Sequence, residues 1–221
     1  AASGSSMPSL KRDEVDTVDN ARRLAEEGNL GEAVSTLKEA LQEDSSAALI
    51  YTLGTLYMET EQYAQAAGVF RRALEVKPNF SHARLQLAQV LMRQEVYDEA
   101  AATLRPLLDS WPEKRTTVWR LLAYAYLAAE RPVAAEQAYR LALARDPASR
   151  ETRRGLLRAL QSQGKLQQAA SFARAEIAAN PGHVQMWRLL VESLLEDERR
   201  TDALAHLECA RRLGLADNSM T

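Results

Sequence analysis

Six alanines recur along this chain at a nearly constant interval: Ala33, Ala66, Ala100, Ala135, Ala169 and Ala203, with steps of 33, 34, 35, 34 and 34 residues. Four prolines keep the same interval, Pro78, Pro112, Pro147 and Pro181, with steps of 34, 35 and 34. A period of this size is the signature of a repeat array. In such an array each unit buries its apolar face only against its neighbours. The period therefore constrains the fold more than any single motif does, and it points to a protein that holds something in a groove.

The clearest unit spans residues 47 to 80. Its first half carries Ile50, Leu53, Gly54 and Tyr57 at helical spacing, and its second half carries Tyr63, Ala66, Phe70 and Ala73 at steps of three and four. Pro78 ends the second helix, because proline has no amide hydrogen and clashes with the preceding turn. The later units align column by column: Arg84, Leu87, Ala88, Leu91, Ala100, Leu104, Leu107 and Pro112, then Trp119, Leu122, Ala123, Tyr126, Ala135, Tyr139, Ala142 and Pro147. A weaker unit follows with Arg153, Leu156, Leu157, Leu160, Ala169, Ala173, Glu176 and Pro181, and a last one with Trp187, Leu190, Val191, Leu194, Ala203, Leu207 and Ala210.

This pattern resembles the tetratricopeptide repeat. The resemblance implies an all-α fold, a right-handed α-solenoid of about six helix-turn-helix repeats. The expected array runs over residues 12–215, with repeats at about 14–46, 47–80, 81–115, 116–149, 150–183 and 184–214. Residues 1–11 are expected to form a disordered tail or a cloning scar, and residues 216–221 a second tail. Small residues at Gly54, Ala88 and Ala123 let neighbouring helices approach, while Tyr57, Phe70, Tyr126 and Tyr139 fill space. Pro106 lies inside a second helix and is expected to kink it. Arg84 and Arg153 replace a large apolar residue, so their stems should cover the seam while the charge reaches water.

The formal net charge is −2, which argues against a dedicated nucleic-acid or membrane surface. Charge is uneven, however: −5 over residues 1–46, −1 over 47–112 and +4 over 113–221. Arginine outnumbers lysine 23 to 5, as in GC-rich bacterial genomes. No transmembrane run and no signal peptide stands in the sequence. The expected location is the cytoplasm, or the periplasm or a membrane anchor if a leader has been removed.

Chemistry-bearing motifs are absent. His82, His183 and His206 have no partners at metal-ligand spacing, Cys209 is the single cysteine, and no nucleophile or phosphate-loop motif occurs. The acids Glu196, Asp197 and Glu198 read as solvated loop charge. The chain is read as a non-enzyme with no cofactor and no metal. By the resemblance, the second, fifth, ninth and twelfth residues of each unit face a concave groove. The fifth column holds Val18, Tyr51, Leu85, Arg120, Arg154 and Arg188; the ninth adds Arg22, Thr55, Gln89, Tyr124, Arg158 and Glu192; the twelfth adds Ala25, Met58, Met92, Leu127, Gln161 and Leu195. One half of the groove should be apolar, with Tyr51, Met58, Leu85, Met92 and Leu127, and the other an arginine ladder of Arg120, Arg154, Arg158 and Arg188. Arginine forms bidentate bonds to carboxylates, so the expected partner is a protein or peptide segment with acidic character. The function implied is a scaffold or adaptor. The alternative is a self-associating protein of a bacterial envelope or secretion assembly, with a homodimer among its forms. The last helix carries one apolar stripe, Ala203, Leu204, Leu207 and Ala210, which suggests a capped end.

Overall fold

The computed structural model describes residues 7–215 and contains no strand among them. The chain divides into two compact units, residues 1–125 and 126–221. The first holds α1 (Val15–Glu26), α2 (Leu30–Ala40), α3 (Ala47–Glu59), α4 (Tyr63–Val76), α5 (Ser81–Arg93), α6 (Tyr97–Leu104) and α7 (Leu107–Ser110). A 3-10 turn at Pro112–Lys114 leads into α8 (Arg115–Ala128), within which the boundary falls. The second unit holds α9 (Pro132–Leu143), α10 (Arg150–Gln161), α11 (Leu166–Ala179), α12 (Val184–Glu196) and α13 (Arg200–Arg212). In the first unit each helix from α1 to α6 packs on the next, and α1, α3 and α5 also touch in series. In the second, α9 to α13 pack in succession and α10 reaches α12.

The periodic alanines sit where helices meet. Ala33, Ala66, Ala100, Ala135 and Ala169 are fully buried and Ala203 is 1% exposed. Val18, expected on the groove, is instead fully buried. It lies on α1 one turn before the buried Ala21, so in this divergent first repeat the column faces the core. The tails expected at the two ends lie outside the described residues, apart from positions 7–11. There Leu10 packs against the core, and the Lys11 ammonium meets the Asp44 carboxylate at 2.6 Å. Glu14 is buried and accepts hydrogen bonds from the Ser46 amide at 2.7 Å and the Lys11 amide at 2.9 Å.

One residue in the turn between the two helices of each repeat adopts left-handed backbone. Gly28 and Gly164 do so at φ 86° and 69°, and Glu61, Glu95, Glu130 and Glu198 at 57°, 62°, 56° and 60°. The next amide then donates to the carbonyl five residues back. Examples are Gln62 to Tyr57 at 2.8 Å, Arg131 to Tyr126 at 2.8 Å and Lys165 to Leu160 at 3.0 Å. This is the Schellman closure, which satisfies carbonyls that the helix end leaves orphaned. Glu198 therefore occupies a constrained turn position, while Glu196 is the last residue of α12 and not part of a loop.

Pro106 does more than kink. The second helix of its repeat stops at Leu104 and restarts at Leu107, with Pro106 itself at φ −60° and ψ −22°. Across the break the Leu108 amide donates to Arg105 at 3.1 Å, a three-residue reach that replaces the lost four-residue bond.

Arg84 and Arg153 depart from the expected role. Each guanidinium donates to the carbonyl of the proline six residues earlier, Arg84 to Pro78 at 2.7 Å and Arg153 to Pro147. Trp187 makes the same bond, its indole N–H donating to Pro181 at 2.8 Å. In these three repeats the column supplies a donor to the preceding turn, by arginine or by tryptophan. Arg153 also meets Glu176 at 2.8 Å, with side chains only 29% and 15% exposed. Its charge is turned inward to a carboxylate rather than out to water.

A second buried carboxylate anchors the second unit. Glu136, 3% exposed, accepts from Gln163 at 2.7 Å and Lys165 at 2.8 Å and pairs with Arg140. Burial alone would raise its pKa, but the bonds from Lys165 and Gln163 and the charge of Arg140 hold it below the ordinary carboxylate value.

Candidate functional site

Each unit carries a cleft formed by the first helix of successive pairs. In the first unit a cleft of about 270 Å³ lies between α1 and α3. Arg22, Ala25 and Glu26 line it from α1, and Tyr51, Thr52, Thr55, Leu56 and Glu59 from α3, with Met7 at its edge. Ser46 positions α3 by accepting a hydrogen bond from the Leu49 amide at 3.2 Å, which caps the helix start.

The chemistry of this cleft is less apolar than expected. Glu26 and Glu59 bring carboxylates, and Arg22 lies 3.6 Å from Asp19 on its own helix. The hydroxyls of Thr52 and Thr55 are spent on carbonyls of α3, Ala48 at 2.9 Å and Thr52 at 2.7 Å. The Tyr51 ring leans on Phe70 and Phe80, with centroids 5.7 and 5.1 Å away. Burial raises its phenol above the ordinary value. Met58 and Met92 are half-buried against the same core cluster, and Leu85 and Gln89 are half-buried on α5. On α8, Arg120 is half-buried, whereas Tyr124 is 50% exposed and meets Tyr97 edge-on at 6.4 Å.

In the second unit a cleft of about 460 Å³ is lined by Leu127, Arg158, Gln161, Ser162 and Glu196. Leu127, expected in the apolar half, instead sits with Arg158. Three features place the α10 side of the cleft. Ser149 caps the helix by accepting from the Thr152 amide at 3.3 Å. Gly155 lets Tyr139 approach so closely that a Cβ there would stand 2.2 Å from the ring. Finally, α10 is bonded to α12 at two levels, Arg154 to Gln185 at 2.9 Å and Gln161 to Ser193 at 3.0 Å.

The arginines of α10 and α12 therefore differ in what they can still bind. Arg154 donates to Gln185, and Arg188 lies 3.6 Å from Glu192 on α12. Arg158 projects into the cleft between the two bonded levels, and among the described residues its guanidinium makes no hydrogen bond or ion pair. Glu196 was not expected here. Its signal was its place in the sequence, one residue past the twelfth-column Leu195.

Comparison with known proteins fits this geometry. The family pattern described as "Tetratricopeptide repeat" matches residues 51–114, 85–150 and 154–214. The chain belongs to the tetratricopeptide repeat family. Its structure is similar to that of a tetratricopeptide repeat protein from Parabacteroides merdae, at TM-score 0.75 and 16% identity, over 91% of this chain and 80% of that one. It is also similar to YrrB, at TM-score 0.67 and 22% identity, over 85% and 95% of the two chains. A third likeness is to pilF of Pseudomonas aeruginosa, at TM-score 0.64 and 18% identity, over 94% of each chain. At these identities the likenesses establish the fold, the all-helical α-solenoid class. As a tetratricopeptide repeat protein, the chain is of a kind that generally mediates protein–protein interaction.

Proposed function

We propose that this tetratricopeptide repeat protein is a non-enzymatic scaffold that holds a peptide segment of a partner along the first helices of the repeats in its second unit. The segment contacts Arg154, Arg158 and Arg188, and its acidic part docks at Arg158. The observation that carries this reading is the Arg158 guanidinium, uncommitted within a cleft of about 460 Å³. A carboxylate is the group that satisfies its planar donors best. The structure of YrrB is described as that of a TPR protein with an unusual peptide-binding site, which supports the class of ligand. Changing Arg154, Arg158 and Arg188 together to glutamate tests the reading. Far-UV circular dichroism should stay helical, while peptides selected on the parent protein should no longer bind. Binding to the parent should also weaken as salt rises. A folded triple variant that binds those peptides at parental strength would overturn the proposal.

Self-association is the second reading, favoured by one observation. On α13, Ala203 and Ala210 are buried, but Leu204 is 64% exposed, so the apolar stripe does not close the end completely. Light scattering at two protein concentrations decides it, and Leu204→Glu should abolish any dimer found.

A further inference from the structure

The cleft of the second unit holds two exposed charges of opposite sign, Arg158 from α10 and Glu196 from α12. Neither makes a side-chain hydrogen bond or ion pair among the described residues, and they do not pair with each other. The other groove-facing polar groups on these two helices are engaged. Arg154 bonds Gln185, Gln161 bonds Ser193, and Arg188 lies beside Glu192. The rest of the cleft is lined by Leu127, Gln161 and Ser162.

We infer that the segment held here is zwitterionic. It presents a carboxylate to Arg158 and an ammonium or guanidinium to Glu196, with an apolar side chain against Leu127. This rests on the peptide-holding reading and deepens it. A purely acidic segment would satisfy Arg158 but set like charge beside Glu196, which costs affinity and selects against that partner. A purely basic one would meet the reverse conflict. Only a segment carrying both signs leaves neither wall unmatched. The cleft thus selects by the order of charges along the ligand as well as by their presence.

Short random peptides displayed on phage and selected on the full chain provide the test, followed by fluorescence-polarisation titration of synthetic versions. The expected winners carry one acidic, one basic and one apolar side chain. Neutralising either charge of the peptide should weaken binding about fivefold, the size of one partly exposed pair. Arg158→Glu and Glu196→Arg should each weaken it by at least as much. The double variant should bind poorly to the parental peptide and recover with its charge-swapped version. Glu196→Gln gives a milder probe should Glu196→Arg perturb folding, and dichroism reports the fold of each. If the winners are acidic only and Glu196→Arg strengthens them, the zwitterionic inference falls while the peptide-holding reading stands. If no peptide is enriched, or the enriched ones ignore both residues, the peptide-holding reading falls and the inference with it.

Discussion

In the α3–α4 pair the turn-facing position holds Ile50, fully buried, and the matching position on the second helix holds Ala73, also fully buried. In the α10–α11 pair the same two positions hold Arg153 and Glu176, 2.8 Å apart. Each region also has an aromatic ring on a glycine of a first helix, Phe70 of α4 on Gly54 within its own pair and Tyr139 of α9 on Gly155 of the pair that follows. Phe70 would lie 2.6 Å from a Cβ at Gly54, and Tyr139 2.2 Å from one at Gly155. The helices nonetheless run over similar lengths and close with the same left-handed turn. The repeat thus demands filled volume and satisfied polar atoms, not a particular residue. An ion pair that also caps a proline carbonyl can stand where an apolar contact stands elsewhere.

The largest effect should come from the glycines, which the comparison treats as equivalent. Gly54→Ala and Gly155→Ala should each cost about 1–3 kcal/mol by overpacking. Urea denaturation monitored by dichroism would show this as a lower midpoint. If Gly155→Ala is neutral while Gly54→Ala is not, the Tyr139 ring can slide where Phe70 cannot, and the two seams are not alike.

The ion pair comes next. Arg153→Met leaves Glu176 without its partner and Pro147 without its donor. Because the pair is partly exposed, the loss should be about 1–2 kcal/mol, below that of a fully buried pair. Adding Glu176→Ala rebuilds the α3–α4 chemistry and should recover most of that loss. A double variant no more stable than the single one would show that the polar solution is not interchangeable with the apolar one.

The acid limb separates the two units by their buried carboxylates. For Glu14, burial would raise the pKa, but the Ser46 and Lys11 amides hold it below the ordinary value. Glu136 is lowered as well. A folded value below the unfolded one means stability that is complete above the unfolded pKa, about 4.3 for glutamate. That stability is lost as pH falls through the folded value. Urea midpoints should therefore fall between about pH 4.3 and lower pH, and Glu136→Gln should flatten only its own part of that slope. An unchanged slope would show that the lysine and glutamine bonds do not favour the carboxylate over the acid.

The smallest effect concerns the turns. Glu130 at φ 56° bears a side chain where Gly164 bears none. Left-handed backbone costs a non-glycine residue roughly 1–2 kcal/mol, and the greater freedom of unfolded glycine returns roughly 0.5–1 of it. Glu130→Gly should therefore raise the melting temperature slightly, and Gly164→Ala should lower it. Equal responses at both sites would mean the glutamates are not strained.

Much of this was legible in the residues. The alanine columns predicted burial that is complete or nearly so, because only a small side chain fits where helices cross closely. Pro106 predicted a disruption that the structure shows as a full break. The left-handed turns were half legible. Glycine favours such backbone at Gly28 and Gly164, but glutamate carries no signal of φ, so the same turn at Glu61, Glu95, Glu130 and Glu198 has no mark in the sequence. The candidate site was legible as columns. Arg158, Leu127 and Gln161 came from the register and meet in one cleft, whereas Glu196 lay outside the columns used.

The sequence by itself determined the period, the small positions and the helix ends, because these follow from spacing along one chain. It also determined that arginines recur at one position of the period in the later repeats. Only the tertiary structure decided which of them remain open to a ligand. Whether a guanidinium is spent on Gln185, set beside Glu192 or left uncommitted in a cleft depends on the distance between neighbouring helices. That distance is set by packing between helices, and no column of residues states it.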